Sequence, residues 1–149
     1  ADEIAGDDGI ARLRYFYSLR EQGYTLLLIS ETTEWCDVCE AQMSTLPAMV
    51  DTYGFNAVDP QVAFLTVVTE DDSLNSATLE VASNYSTDHD LDHVSPVTND
   101  ENLYFRDLMT ASSYPFNIFV DLANMEIIGM PRGSKQKQPS PPNSTKCSN

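Results

Sequence analysis

Positive charge is scarce in this sequence. Its 149 residues include 8 Lys plus Arg against 23 Asp plus Glu, which gives a formal net charge of −15 at pH 7. The imbalance is uneven: residues 1–130 hold all of the acidic residues and four of the basic ones, a formal charge of −19, whereas residues 131–149 carry +4. Since such a body repels a phosphate backbone, the composition excludes a nucleic-acid-binding domain.

Long hydrophobic runs are also missing. The longest strictly apolar run is Leu26–Ile29, whereas a membrane-spanning helix needs about 20 such residues. No signal peptide or anchor is visible, and a chain that starts at Ala1 is expected to be trimmed or processed. The hydrophobic fraction of 42% is nevertheless sufficient for the core of one domain.

Composition divides the chain into three parts. Residues 1–9 are acidic and contain glycine, so we expect a flexible end there. Residues 10–130 carry the apolar periodicity of a single domain. Residues 131–149 are polar, basic and rich in proline, which predicts a tail.

The periodicity within residues 10–130 predicts an α/β fold. Tyr24–Ser30 and Val62–Thr69 are continuous apolar runs, typical of buried parallel strands. Helical spacing over 38–53 predicts one helix, kinked at Pro47 and stopped at Gly54. The other segments are 10–20 (helix or edge strand), 74–85 (helix), 86–100 (polar loop), 102–109 (short helix), and 116–120 and 125–130 (a strand hairpin). This order predicts a mixed sheet with helices on its faces.

The most informative motif is Trp35-Cys36-Asp37-Val38-Cys39, at the point where a buried strand gives way to a helix. A Cys at a helix N-terminus meets unpaired N–H groups and the positive end of the helix dipole, which favour the thiolate. A second Cys one turn later can close a disulfide with the first. The alternatives are two buried thiols or half of a zinc site.

This arrangement resembles the thioredoxin fold, and more specifically the TlpA/ResA-type extracytoplasmic thiol–disulfide oxidoreductases. Residues 26–43 resemble the family's strand, WCxxC motif and following helix, and 67–70 resemble the end of its next strand. Residues 114–121 resemble the segment that carries the family's cis-proline. The resemblance covers about residues 17–130 and is more specific for fold than for function.

The resemblance implies a role for six residues. Cys36 would be the exposed nucleophile and Cys39 the resolving thiol beneath it. Pro115 would be cis and lie against the disulfide, while Trp35 and Tyr114 would contact the substrate. Glu70 matches an acidic residue that serves proton transfer in such enzymes; a solvated carboxylate at the strand end is the alternative.

The sequence departs from the family pattern in three ways. Ser30 occupies the position of the buried Asp that thioredoxin carries six residues before its first Cys. The proline of the redox helix is displaced to Pro47. The final C-terminal helix, which should cover one sheet face, has no counterpart after Met130.

We expect the dithiol to act as a reductant or an isomerase-like donor. Glu34, Asp37 and Glu40 surround the cysteines, and no Lys, Arg or His is near in sequence. Negative charge disfavours the thiolate, whereas strong oxidants of this fold depend on a stabilised thiolate. The resemblance implies protein disulfides as substrates, an upstream thiol as electron donor, no cofactor, a monomer, and an extracytoplasmic location.

Two other functions stay open at this level. Thr33 and Cys36 form the T-x-x-C part of a peroxiredoxin site, although the Pro expected four residues before that Thr is Ile29. A non-catalytic redoxin that binds a partner is the second possibility.

Metal binding is a further alternative. His89 and His93 could join the two cysteines, but about fifty residues separate the pairs. Asp88, Asp90 and Asp92 resemble the start of a calcium loop, whose sixth position lacks its Gly. A solvated acidic loop is the favoured interpretation, with no metal. Cys147, in the tail, is interpreted as a bystander thiol; an intermolecular disulfide or a further resolving thiol are the alternatives.

Overall fold

The structure is a computed structural model that describes residues 11–130. The predicted flexible end at 1–9, the tail at 131–149 and the predicted loss of the final helix therefore lie outside the described residues. Within 11–130, no helix has the length and apolar character needed to cross a membrane. The strands are β1 (Leu26–Thr33), β2 (Val62–Glu70), β3 (Val97–Asn99), β4 (Phe116–Asp121) and β5 (Glu126–Gly129). The α-helices are α1 (Arg14–Tyr17), α2 (Asp37–Met43), α3 (Leu46–Tyr53), α4 (Leu79–Asp88) and α5 (Tyr104–Met109), and short 3-10 helices span Ser18–Gln22 and Glu101–Leu103.

The five strands form one mixed sheet in the order β3-β2-β1-β4-β5. β2 is parallel to β1 and to β3, whereas β4 runs antiparallel to β1 and to β5. The predicted α/β class with a mixed sheet flanked by helices is confirmed.

Side chains of the central strands alternate between two cores, because successive residues of a strand point to opposite faces. On one face Leu28 and Phe64 pack against buried side chains of α2, α3 and α4. On the other face Leu27 and Ile29 pack with Phe16 of α1, and α5 contributes partly buried side chains to the same cluster. Burial on both faces explains why β1 and β2 read as continuous apolar runs.

The single kinked helix predicted over 38–53 is wrong. The structure has two helices, α2 and α3, and Pro47 lies in the first turn of α3. Proline is tolerated there because the first N–H groups of a helix have no partner within it. The predicted stop at Gly54 is confirmed, since α3 ends at Tyr53.

Two other segments differ from the sequence-based expectation, and a third had two predicted forms. The helix predicted over 74–85 begins later, at Leu79, because the Thr78 hydroxyl accepts a hydrogen bond from the Val81 N–H and caps α4. The predicted polar loop contains β3, a three-residue strand at the sheet edge. The segment 10–20, predicted as helix or edge strand, is helical from Arg14 onward, in α1 and the 3-10 helix that follows it.

Gly54 is expected to tolerate no side chain. An added Cβ would lie 2.9 Å from the Val50 Cα, which is closer than real Cβ atoms come, and 3.0 Å from Phe64 Cε2, which is a tight contact. We expect Gly54→Ala to lower the free energy of unfolding by about 1–3 kcal/mol, because the packed core resists overpacking. Urea denaturation measures this, with Ser83→Ala at an exposed position of α4 as the control. Equal stability of the two variants would contradict the packing seen around Gly54.

Candidate redox site

The predicted site residues come together at one edge of the sheet. β1 and β2 are parallel and end at Thr33 and Glu70, so their carboxyl ends share this edge. β4 runs antiparallel to β1 and begins there, at Phe116. The topology therefore brings the Cys36–Cys39 pair, which follows β1, beside Tyr114 and Pro115, which precede β4.

Cys36 and Cys39 form a disulfide with a Cα–Cα distance of 5.2 Å. Cys36 is the N-cap residue of α2, and its Sγ accepts a hydrogen bond of 3.2 Å from the Cys39 N–H. An N–H donor of this kind would stabilise a Cys36 thiolate. Cys36 is 8% exposed and Cys39 0%. Both cysteines are thus buried, and Cys36 is the one of the two that keeps some exposed surface.

Two aromatic side chains flank the disulfide. Tyr114 is buried in one cluster with both cysteines. Trp35, 43% exposed, meets Tyr114 edge to face, with ring centroids 5.9 Å apart and an interplanar angle of 82°. The Tyr114–Pro115 peptide bond is cis. These residues form an apolar rim beside the disulfide.

Glu70 links Trp35 to Arg106, a residue that the sequence analysis did not predict at this site. Its Oε2 accepts a hydrogen bond of 2.9 Å from Trp35 Nε1, and its Oε1 lies 3.2 Å from Arg106 Nη1. Arg106 belongs to α5, 36 residues after Glu70. Although no basic residue is near the cysteines in sequence, the fold thus brings a positive charge to Glu70.

A neutral polar cluster connects the redox helix to the sheet. Gln42 of α2 and Asn117 of β4 exchange two amide hydrogen bonds of 2.9 Å. Ser30 of β1 joins them, donating to Asn117 Oδ1 at 2.9 Å and accepting from Gln42 Nε2 at 3.1 Å. Where thioredoxin carries a buried Asp, this chain therefore has hydroxyl and amide groups that do not titrate. Sequence reasoning missed Gln42 and Asn117, because amides in a helix and a strand carry no motif.

Glu31 carries a buried carboxyl group. It follows Ser30 in β1, so its side chain points to the opposite face of the sheet. Glu31 is 0% exposed, and neither of its carboxyl oxygens has a hydrogen-bond partner among residues 11–130. Burial, together with the nearby Asp100 carboxylate and opposed by Arg106, raises the pKa of Glu31 to about 8. Glu31 is therefore protonated at neutral pH. Sequence reasoning ended the strand at Ser30, so it missed this residue.

The three carboxylates next to the cysteines in sequence remain on the surface. Asp37 and Glu40 are exposed in the first turn of α2. Glu34 is half-buried, and its Oε2 accepts a hydrogen bond of 3.1 Å from the Asp72 N–H. Solvent screens such charges, so each shifts the pKa of a thiol only modestly.

The structure shows the surroundings of the residues behind the metal and peroxidase alternatives. Among residues 11–130, no group of three or more His, Cys, Asp or Glu side chains is placed to hold a metal ion. His89 stacks on Tyr85, with ring centroids 4.2 Å apart. The buried Thr33 hydroxyl has no hydrogen-bond partner in the described part of the chain, so no bond ties it to the Cys36 sulfur.

Several solved structures with a similar fold are described as disulfide oxidoreductases or thioredoxins. A thiol:disulfide interchange protein from Bacteroides sp. matches with a TM-score of 0.60 at 12% identity, over 85% of this chain and 73% of that one. The exposed lipoprotein thioredoxin Etrx1 of Streptococcus pneumoniae matches with a TM-score of 0.58 at 19% identity, over 90% of both chains. A secreted Mycobacterium tuberculosis disulfide oxidoreductase, homologous to E. coli DsbE, gives a TM-score of 0.50 at 14% identity, over 69% of this chain and 66% of that one.

Comparison by sequence gives no further relatives: neither the family models nor the curated proteins include a match. The structural similarities fix the fold. The chain has a thioredoxin-like fold, with a CxxC disulfide at the end of the first strand of the sheet. The expected fold is thereby confirmed.

Proposed function

We propose that this protein reduces disulfide bonds of other proteins with the Cys36–Cys39 dithiol. The observation that carries the proposal is the asymmetry of the pair: Cys36, the N-cap residue of α2, keeps some exposed surface, whereas Cys39 is fully buried one turn later. One thiol is thus placed to attack an external sulfur, and the other can reach only Cys36.

The reaction consists of two exchange steps. The Cys36 thiolate attacks one sulfur of the substrate disulfide, which forms a mixed disulfide and releases the other substrate sulfur as a thiolate that takes up a proton. Cys39 then loses its proton and attacks the Cys36 sulfur, which releases the second substrate thiol. Two electrons have passed to the substrate, and the protein holds the Cys36–Cys39 disulfide until an upstream dithiol reduces it.

The apolar rim supplies the substrate contacts in this proposal. Trp35 and Tyr114 flank the sulfur atoms, and the backbone of Tyr114, next to Pro115, offers hydrogen bonds to an extended client segment. Proton transfer by Glu70 remains a prediction of the resemblance; the contacts of Glu70 to Trp35 and Arg106 support a role in fixing the rim.

We also propose that the protein works outside the cytoplasm. The support is that one structural neighbour is described as secreted and another as an exposed lipoprotein.

Reduction of insulin tests the function directly. With dithiothreitol as electron donor, the protein should accelerate the precipitation of the free insulin B chain, and Cys36→Ser should not. A rate equal to that of dithiothreitol alone would refute the reductase proposal. If the protein instead consumes hydrogen peroxide faster than it reduces insulin, the peroxidase alternative replaces it.

The reduction potential of the pair is expected to be that of a reductant. The carboxylates of Glu34, Asp37 and Glu40 disfavour a Cys36 thiolate, and a less stable thiolate makes the disulfide harder to reduce. We expect a potential of about −200 mV or lower, towards the thioredoxin value of about −270 mV. Equilibration with glutathione buffers, followed by alkylation and mass spectrometry in a Cys147→Ser background, measures it. A potential near about −120 mV, as in DsbA, would contradict the proposed direction.

A further inference from the structure

Arg106 forms two ion pairs next to the redox site. It is the one Lys or Arg of the sequence between residues 21 and 130. The Arg106 guanidinium pairs with Glu70 at 3.2 Å and with Asp107 at 2.9 Å. The Glu70 carboxylate is mostly buried, with 14% of its side chain exposed, whereas 65% of the Asp107 side chain is exposed. The ion pair with Glu70 is thus better shielded from water than the pair with Asp107. Since exposed ion pairs contribute little to stability, the pair with Glu70 is the more important contact of Arg106.

The backbone of Arg106 is fixed independently of its side chain. Asp100 is 4% exposed, and its two carboxylate oxygens accept hydrogen bonds of 2.8 Å from the Phe105 and Arg106 N–H groups. Phe105 packs on the sheet face opposite α2. The start of α5 is therefore anchored to the sheet, and the guanidinium extends from a fixed point.

The other end of the chain of contacts is Trp35. Glu70 binds the guanidinium through Oε1 and the Trp35 indole N–H through Oε2, so that one carboxylate joins both. The backbone supports the same link, because the Glu34 N–H donates to the Glu70 carbonyl oxygen at 3.1 Å. The exposed indole next to Cys36 thus has a fixed orientation.

We propose that Arg106 is a positioning residue: by holding Glu70, it orients Trp35 as a docking surface for the client polypeptide beside Cys36. This rests on the proposed function and adds a determinant of client recognition in α5, distant in sequence from the motif. Arg106 touches neither sulfur nor substrate in this scheme. It should therefore affect client binding more than the exchange chemistry.

Kinetics with two substrates test the proposal. We expect Arg106→Met to raise KM for insulin by roughly three- to tenfold with kcat within about twofold of wild type, because misplaced binding groups weaken docking. The rate with dithionitrobenzoate, a small disulfide that needs no docking surface, should stay within about twofold in a Cys147→Ser background. Arg106→Lys keeps the charge beside Glu70 and should restore most of the KM. Arg20→Gln removes an exposed charge in the 3-10 helix and is the control for net charge.

Fluorescence gives a second measurement that needs no client. Trp35 is the one tryptophan of the chain, so the emission reports on it alone. Arg106→Met should make Trp35 easier to quench with acrylamide. In a Glu70→Ala background, Arg106→Met should change the KM for insulin and the quenching of Trp35 by less than about a further twofold, because Arg106 acts through Glu70. If Arg106→Met does not fold, Arg106→Gln takes its place with the same expectation.

The proposal fails if Arg106→Met leaves the KM for insulin and the quenching of Trp35 unchanged. It also fails if the effects of Arg106→Met and Glu70→Ala are additive, since Arg106 would then act by another route. The two proposals can fail separately. Absence of insulin reduction would refute the reductase proposal, whereas quenching of Trp35 needs no substrate and still tests whether Arg106 orients the indole.

Discussion

Cys36→Ser is expected to abolish the reduction of insulin, with a loss of at least about a thousandfold, because the buried Cys39 sulfur cannot replace the nucleophile. Cys39→Ser should also stop turnover, but at a later step. It retains the attacking thiol and loses the thiol that resolves the mixed disulfide. The two substitutions therefore have similar steady-state rates and different first turnovers.

A single-turnover assay separates the two variants. In a Cys147→Ser background, reduced Cys39→Ser should release one equivalent of thionitrobenzoate rapidly from dithionitrobenzoate and remain modified. Reduced Cys36→Ser should react slowly, because Cys39 is 0% exposed. Rapid reaction of Cys36→Ser would contradict the assigned order of the two thiols.

The second large effect concerns pH and the stability of the fold. The pKa of Glu31 is raised by burial from its ordinary value of 4.5 to about 8. Between these pH values the folded protein holds a proton that the unfolded chain has lost, so the free energy of unfolding falls as the pH rises through this window. The loss above pH 8 amounts to roughly 3–5 kcal/mol relative to pH 4.

Glu31→Gln should remove this dependence, because the amide carries no proton that titrates. Urea denaturation at a series of pH values from 5 to 9 compares it with wild type and with Glu21→Gln, which changes an exposed carboxylate. The stability of wild type and Glu21→Gln should decline together with rising pH, whereas Glu31→Gln should decline less. Parallel curves for all three proteins would show that Glu31 titrates normally.

Local signals explain why the sequence predicts the central part of the fold and of the site. The motif from Trp35 to Cys39 combines residue type, spacing and a strand-to-helix position within five residues. The apolar runs of β1 and β2 reflect burial on both faces, which is also a local property. The resemblance of residues 114–121 then predicts Tyr114 near the disulfide, and Tyr114 packs in one cluster with both cysteines.

The remaining features depend on contacts between distant residues. Arg106 reaches the site through an ion pair with a residue 36 positions earlier, and no spacing rule encodes that contact. The exposure of Glu31 cannot be read from its type, since a carboxylate is expected on the surface. β3 is three residues long and pairs with β2 at the edge, so its pattern is too short to recognise. Tertiary context decides each of these.

The central claim is that Cys36 attacks a protein disulfide and Cys39 resolves the product. The most direct test incubates reduced Cys39→Ser, in a Cys147→Ser background, with insulin and identifies the adduct by peptide mapping under non-reducing conditions. We predict one mixed disulfide, between Cys36 and an insulin cysteine, that dithiothreitol reverses. The absence of any adduct on Cys36, while wild-type protein reduces insulin under the same conditions, would contradict the account.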